Sequence, residues 1–159
     1  MTGAADPGMA APPPSGSTTP SDGVPLVKVM YLFAGGRRRS DVAAYLKEAE
    51  ASGKIRLILK EFDVERSPEH DLTNVALWTE IIETLEEGQW FIIVSPPCNT
   101  FSRARFQRRY PGPRPLRTKA WPRGFPWLSN ANKQKVDEAN FFVDKCLEAC
   151  EHAVNFNGF

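Results

Sequence analysis

Apolar and polar residues follow two different rhythms along this chain. Three short runs are almost continuously apolar and end at glycine, proline or acidic residues, which is typical of buried strands. They span residues 27–33, 56–62 and 90–95. In three longer segments, apolar side chains recur every three to four residues, which predicts helices. These segments span residues 40–52, 74–87 and 130–152. The alternation predicts a three-layer α/β domain with a parallel sheet.

Capping residues predict where the helices begin and end. Ser40 is the expected N-cap of the first helix, and Gly53 its end. Asp71 or Thr73 can cap the second helix, which Gly88 ends. The last helix begins after Ser129 or Asn130. Its expected buried face consists of Val136, Ala139, Val143, Cys146, Leu147 and Cys150.

Each predicted strand ends in residues that suit a ligand site. Gly35 and Gly36 follow the first strand and allow a tight turn close to a ligand. The second strand ends in Glu61-Phe62-Asp63, and an acid at this point of a nucleotide-binding unit commonly accepts hydrogen bonds from ribose. An ordinary turn and solvated acids are the alternatives. Because ligands bind at the carboxyl edge of parallel sheets, we expect Gly35, Glu61 and Cys98 to share that edge.

Cys98 follows the third strand and two prolines, in a loop with polar neighbours. This position makes it a candidate nucleophile, although a packed loop cysteine is the alternative. The chain has three cysteines and no secretory signal, which favours free thiols and an intracellular protein, nuclear or cytoplasmic rather than secreted. Cys146, Cys150 and His152 lack the spacing of a zinc site, so we expect no metal. No run is long enough to predict a membrane helix.

Composition divides the chain into a leader and a domain. Residues 1–24 are rich in Ala, Pro, Gly, Ser and Thr and are predicted to be a disordered leader, whereas 25–159 form the domain. The whole chain has 20 Lys+Arg and 19 Asp+Glu, so its net charge indicates no partner. Within 103–124, however, no acid occurs, and aromatic residues interleave with basic ones. The basic residues are Arg103, Arg105, Arg108, Arg109, Arg114, Arg117, Lys119 and Arg123.

This basic segment predicts contact with nucleic acid, since cations bind phosphates and aromatic rings stack on unpaired bases. A solvated surface is the alternative. The apolar residues Phe125-Pro126-Trp127-Leu128 follow, and we expect them to pack on the core.

The segment Pro97-Cys98-Asn99-Thr100-Phe101-Ser102 resembles the Pro-Cys-Gln-x-Phe-Ser signature of the DNA (cytosine-5)-methyltransferases. Four positions match in register: Pro97, Cys98, Phe101 and Ser102. Asn99 stands where the family usually has Gln. The chain also resembles divergent methyltransferase-like sequences carried by mobile elements. The resemblance implies a Rossmann-like methyltransferase fold with S-adenosyl-L-methionine as cofactor and DNA as partner, with RNA left open. It implies that Cys98 attacks C6 of a flipped-out cytosine, whose C5 then takes the methyl group.

The same resemblance implies a set of cofactor-binding residues. Leu32-Phe33-Ala34-Gly35 is similar to the Leu-Phe-x-Gly that cradles the methionine end, Glu61 matches the ribose-binding acid, and Asp71-Leu72-Thr73 is similar to an adenine-binding Asp-Ile-Thr. The implied cofactor contacts are Phe33, Ala34, Gly35, Glu61, Asp71 and Pro97. Tyr31 departs from the family pattern, which has Asp there. The interval from Glu61 to Asp71 is too short for a helix and a strand, so one crossover is missing and the sheet should be smaller.

The resemblance covers about residues 27–150, and the family's Glu-Asn-Val motif, whose glutamate activates the cytosine ring, does not occur in the 159 residues. We therefore expect the cofactor-binding half of a methyltransferase, an incomplete fragment that is inactive by itself. One alternative is a non-catalytic Rossmann-like module that binds nucleic acid through its basic loop. Another is an unrelated α/β enzyme with a cysteine nucleophile, which would need His70 or His152 as its base.

Overall fold

The computed structural model describes residues 23–106 and 112–157. Most of the predicted leader, as well as Arg108 and Arg109, lies outside these described residues. The described part contains three strands and three α-helices in the predicted order. They are β1 (Leu26–Leu32), α1 (Val42–Ala51), β2 (Arg56–Phe62), α2 (Val75–Glu86), β3 (Trp90–Val94) and α3 (Asn130–Asn155). Single turns of 3₁₀-helix occur at Pro68–His70 and Arg103–Phe106.

The three strands form one parallel sheet in the order β2-β1-β3, so the predicted α/β class is confirmed. Leu32 at the end of β1 is level with Phe62 on β2 and with Val94 on β3. The loops after all three strands therefore leave the sheet at one edge. β2 lies at the side of the described sheet, which agrees with the short link between Glu61 and Asp71.

Helices cover the two faces of the sheet unequally. Met30 and Leu32 are completely buried against α2 and α3, and they share one core with Trp78, Ile81 and Leu85. The indole N–H of Trp78 donates to the carbonyl of Leu72 at 2.9 Å, which satisfies its only polar group. Since successive strand residues point to opposite faces, the smaller α1 covers the other side, beside β2.

The helix caps correct two sequence predictions. Asp41, rather than Ser40, caps α1 and accepts from the backbone N–H of Ala44 at 2.8 Å. Asn74, rather than Asp71 or Thr73, caps α2. Ser40 and Asp41, like Thr73 and Asn74, are neighbours whose side chains are both able to cap a helix. In each pair the second residue occupies the N-cap position of the folded backbone. Ser129 is the N-cap position of α3, as predicted.

The buried face of α3 differs in part from the predicted one. Val136, Ala139 and Cys146 are buried as predicted, whereas Leu147 is 58% exposed. Phe142, Ala149 and Ala153 complete the buried face, together with Asn140. The apolar stripe therefore turns slightly around the helix from the predicted position.

Among the described residues, no helix combines the length and apolarity needed to cross a membrane. The same residues contain no group of three or more His, Cys, Asp or Glu side chains arranged to hold a metal ion.

Candidate functional site

A cavity of about 320 Å³ opens at the carboxyl edge of the sheet. Three residues that the sequence predicts for a cofactor site lie on it: Phe33, Asp71 and Pro97. Its other lining residues are Asp63, Val64, Glu65, His70, Leu72, Thr73, Glu138 and Phe142. Loops after β1, β2 and β3 thus meet one face of α3 around a single pocket, in the place where parallel α/β sheets bind ligands.

The turn after β1 is held in a left-handed conformation. Phe33 has a φ of 59°, which is unusual for a bulky residue and requires support from its surroundings. Its N–H donates to the carbonyl of Phe62 at 2.9 Å, and its ring meets Phe142 edge-on with 5.0 Å between centroids. The next residue, Ala34, is buried and does not line the pocket. These contacts fix one aromatic wall of the pocket.

Gly35 is adjacent to the pocket rather than on its lining. Its φ of 66° suits glycine, and its N–H donates to the carboxylate of Asp63 at 2.8 Å. Asp63 also accepts from the N–H of Glu65 at 2.9 Å. One carboxylate therefore joins the turn after β1 to the loop after β2, and this carboxylate lies on the pocket.

Glu61 is close to the same edge but does not line the pocket. Its side chain is 11% exposed and forms an ion pair with Arg66 at 2.6 Å, with Arg37 and Lys47 more distant at 3.7 and 4.0 Å. Arg66 is itself buried, and its guanidinium also donates to the carbonyl of Gly35 at 2.8 Å. The carboxylate that the resemblance assigns to ribose is thus already engaged by cations of the protein.

Asp71 and His70 form the far wall of the pocket. Asp71 accepts from the backbone N–H and the hydroxyl of Thr73, both at 2.9 Å, and these hydrogen bonds lower the pKa of Asp71. The ring of His70 lies 5.2 Å from that of Phe62, between centroids, and its buried Nδ1 has no hydrogen-bond partner within the described residues. A buried polar atom without a partner is a place where a ligand atom gains a hydrogen bond.

Cys98 is exposed and directly follows Pro97, which lines the pocket. The carbonyl of Cys98 accepts from the N–H of Phe101 at 3.0 Å, which makes residues 98–101 a turn. As predicted, this turn is at the same edge as Gly35. In the part of the chain that the structure covers, no hydrogen bond connects the Cys98 thiol to His70 or His152.

Two arginines of the basic segment brace the turn that carries Cys98. Arg105 donates from Nε to the carbonyl of Asn99 at 2.5 Å and from Nη1 to that of Arg114 at 3.1 Å. Arg117 is only 7% exposed and donates to Thr100 Oγ1 at 2.9 Å, while its guanidinium lies 3.7 Å from the centroid of the Phe101 ring. Three consecutive residues after Cys98 are therefore held by arginine side chains.

Arg117 also connects this turn to α3. Its Nη1 donates to Asn140 Oδ1 and to the carbonyl of Pro122, both at 2.9 Å, and within the described residues none of its hydrogen-bond partners is a carboxylate. Burial, followed by the nearby Arg123 guanidinium, lowers the pKa of Arg117. This guanidinium is used inside the protein rather than offered to a phosphate.

The remaining predicted nucleic-acid contacts that the structure describes are exposed. They are Arg103, Arg114 and Lys119. Arg123 is exposed as well, but it forms a bidentate pair with Asp144 at 2.6 and 2.8 Å. The basic segment therefore contains cations that bind other groups of the protein and cations that are exposed to solvent.

Comparison with protein-family models, curated proteins and solved structures finds no match for this chain. The fold and the site define an α/β domain with a pocket at the carboxyl edge of its parallel sheet and an exposed cysteine beside that pocket.

Sequence reasoning missed several residues of this site. Asp63 belongs to the motif Glu61-Phe62-Asp63 at the end of the second predicted strand, but the resemblance assigned the ligand contact to Glu61 instead. Arg66 carried no motif. Glu138 and Phe142 reach the pocket from α3, and only the packing of that helix against the sheet places them there.

Proposed function

We propose that this chain contributes the cofactor pocket and the cysteine nucleophile of S-adenosyl-L-methionine-dependent DNA cytosine-5 methyl transfer, on a Rossmann-like methyltransferase fold. The observation that carries the proposal is the meeting of Phe33, Asp71 and Pro97 on one pocket, with exposed Cys98 as the next residue. These positions come from three separate segments, so their meeting is more specific than any one motif.

The residues present fit the implied cofactor. The rings of Phe33 and Phe142 provide an apolar wall for the cofactor, and the cavity of about 320 Å³ lies within the usual range of small-molecule sites. The carboxylates of four acidic residues that line the pocket suit the ribose hydroxyls and the positive sulfonium and ammonium groups. They belong to Asp63, Glu65, Asp71 and Glu138. The unpartnered Nδ1 of His70 adds one further hydrogen-bonding atom.

Cys98 is the group that attacks the base. The thiolate is the reactive form, and it adds to C6 of the cytosine ring; once C5 carries the methyl group, loss of the C5 proton to a base would break the bond between sulfur and C6 and release the thiolate. S-adenosyl-L-methionine, when bound, supplies an electrophilic methyl group for C5. Pro97 limits the backbone next to the thiol, and the contacts of Arg105 and Arg117 hold the turn that presents it. The exposed cations Arg103 and Arg114 lie within the same segment and suit phosphates, and the free thiols favour an intracellular location.

A second candidate is a non-catalytic module that binds nucleic acid. The specific observation in its favour is the ion pair between Glu61 and Arg66 at 2.6 Å, which occupies the carboxylate that the family resemblance assigns to ribose. Under this alternative the pocket edge is a structural remnant, and only the basic segment is functional.

Calorimetry with S-adenosylhomocysteine distinguishes the two candidates. We expect weak binding to the unmodified chain, and we expect Asp71→Ala to weaken it by about 1–3 kcal/mol through lost hydrogen bonds. Asp137→Ala is the matched control, since Asp137 is an exposed acid on α3 that pairs with Lys133 at 2.5 Å and does not line the pocket. Absence of binding at millimolar ligand would favour the non-catalytic module.

Glu61→Ala tests the role of the engaged acid. If Glu61 serves ribose directly, the variant loses affinity while the free energy of unfolding changes little. If its main partner is Arg66, as the 2.6 Å contact favours, the variant chiefly loses stability because the buried guanidinium loses its shorter ion pair and keeps the carboxylate of Asp41, at 3.3 Å. Measuring both quantities on one preparation separates the two roles.

A further inference from the structure

Three aromatic side chains form a surface cluster at the end of the basic segment and just after it. The rings of Phe125 and Trp127 are stacked, with 5.1 Å between centroids and 12° between planes, and Trp121 meets Trp127 edge-on at 6.0 Å. Trp127 is 69% exposed and Trp121 is 45% exposed. The sequence predicted that 125–128 would pack on the core, so the exposure of Trp127 corrects that prediction. A contiguous exposed aromatic surface marks an interaction site more often than scattered single residues do.

The backbone holds this cluster in place. Thr118 and Trp121 exchange two backbone hydrogen bonds, at 3.0 and 3.3 Å, and the N–H of Phe125 donates to the carbonyl of buried Leu116 at 3.0 Å. Gly124 has a φ of 110° and lies so close to α3 that a Cβ there would approach Val136 Cγ1 to 2.6 Å. These contacts hold the backbone of the segment that leads into the exposed rings, which lowers the entropy lost on binding.

The charge around the cluster favours one kind of partner. Residues 103–124 contain no acid, and the exposed cations Arg103, Arg114 and Lys119 lie within them. Aromatic rings fixed among cations are typical of surfaces that bind single-stranded nucleic acid, where bases stack on the rings and phosphates meet the cations. A protein partner would also use tryptophan, but the segment that contains Trp121 carries exposed cations and no acid, which matches a polyanion better; of its cations, Arg123 is paired with Asp144 of α3.

The cluster is connected to the turn that carries Cys98. Arg117 donates to the carbonyl of Pro122, the residue after Trp121, and to Thr100 Oγ1, two residues after Cys98. Two hydrogen bonds from one buried guanidinium thus connect the segment of the cluster to the turn that carries Cys98.

We propose that Trp121 and Trp127 form a stacking platform for unpaired bases of single-stranded DNA or RNA. The platform binds whether or not the chain binds a methyl donor, so its test is independent of the proposed methyl transfer.

Intrinsic fluorescence reports on this platform directly. The four tryptophans divide into Trp78 and Trp90, which are 1% and 2% exposed, and the two exposed tryptophans of the platform. Titration with a single-stranded oligothymidine or oligouridine should therefore quench emission, and Trp127→Ala should remove much of that change. The comparison of the DNA and RNA strands identifies the preferred sugar, and saturable binding of either supports the proposal.

Affinity should depend on the bases and not only on the phosphates. We expect an abasic strand of the same length, and a duplex, to bind more weakly than the unpaired strand. Trp127→Ala should reduce affinity for the unpaired strand about 5- to 150-fold, the range of one lost base stack, while Trp127→Phe retains most of it. Tyr45→Ala is the matched control, since Tyr45 is 62% exposed on α1.

Three results would overturn the proposal. The first is equal affinity for the abasic and the intact strand. The second is unchanged affinity in Trp127→Ala when its circular dichroism and unfolding curve match those of the unmodified chain. The third is absence of any oligonucleotide binding at low salt, with or without capture of a protein partner through the same aromatic surface.

Discussion

Replacement of Arg117 by methionine tests how the turn carrying Cys98 is held. Methionine keeps much of the length of the side chain and removes all of its donors. Arg117 is buried, and so are two of its acceptors, since Thr100 is 2% and Asn140 is 8% exposed. The variant leaves both side-chain oxygens without the hydrogen bonds that they receive from the guanidinium at 2.9 Å.

The magnitude follows from two opposing effects. Each buried acceptor left without its donor costs about 1–3 kcal/mol, and there are two such side chains. The variant also removes the desolvation penalty of a buried charge that has no carboxylate partner among the described residues, and this offsets part of the loss in stability. We therefore expect Arg117→Met to lower the free energy of unfolding by about 2–4 kcal/mol.

Urea unfolding followed by circular dichroism measures this difference. Arg114→Met is the matched control, because Arg114 belongs to the same segment and its side chain is exposed. We expect the control to remain within about 0.5 kcal/mol of the unmodified chain. Arg117→Lys should also be destabilised, since lysine keeps the charge but cannot reach three acceptors with a planar fork. An Arg117→Met variant as stable as the control would refute the bracing role.

Three further results are expected. Gly124→Ala should lower the free energy of unfolding in urea by about 2–4 kcal/mol, because the added Cβ meets Val136. Gly53→Ala is the control: Gly53 has a φ of 71° but lies in open space, so it should lose only about 1 kcal/mol. Equal losses in the two variants would contradict this prediction. Maleimide labelling at neutral pH should modify Cys98 first, as peptide mass spectrometry can show, because Cys146 is buried. Burial, with a smaller effect of Cys150, raises the pKa of Cys146 from 9.0 to about 12. The folded state therefore keeps this proton while the unfolded state loses it, so stability should fall by roughly 1.4 kcal/mol per pH unit across that window, and Cys146→Ala should lack this decline.

The strands and helices were predictable because local patterns determine them. The β2 strand matches its predicted bounds, and α1, α2 and β3 end within two residues of theirs. The shared sheet edge also followed from the pattern, since consecutive strands joined through helices run parallel. The caps were less predictable, because neighbouring polar residues such as Ser40 and Asp41 compete, and the backbone path that decides between them depends on tertiary packing.

The site was predictable in its position but not in the pairing of its charges. Glu61 and Asp63 stand two residues apart, and sequence alone does not reveal that Arg66 neutralises the first while the second faces the pocket. Arg117 presents the same difficulty at longer range. Its partners Thr100 and Asn140 are 17 and 23 residues away in the chain, so nothing near Arg117 indicates that it is buried.

This division of the arginines determines the expected salt dependence of nucleic-acid binding. If all eight cations of 103–124 met phosphates, the slope of log K against log salt for a single strand would be roughly −5.6. Arg105 and Arg117 are instead engaged with the protein, and Arg123 is paired with Asp144. The five other cations are Arg103, Arg114 and Lys119, which are exposed, and Arg108 and Arg109, which lie outside the described residues; together they set an upper limit of roughly −3.5. We expect a slope near −3.5 that becomes shallower in Arg114→Ala and stays unchanged in Arg105→Ala, when variants of equal stability are compared. This result would show that some cations of the basic segment hold the Cys98 turn while others bind the ligand. A slope near −5.6 would mean that Arg105, Arg117 and Arg123 leave their partners in the protein when nucleic acid binds.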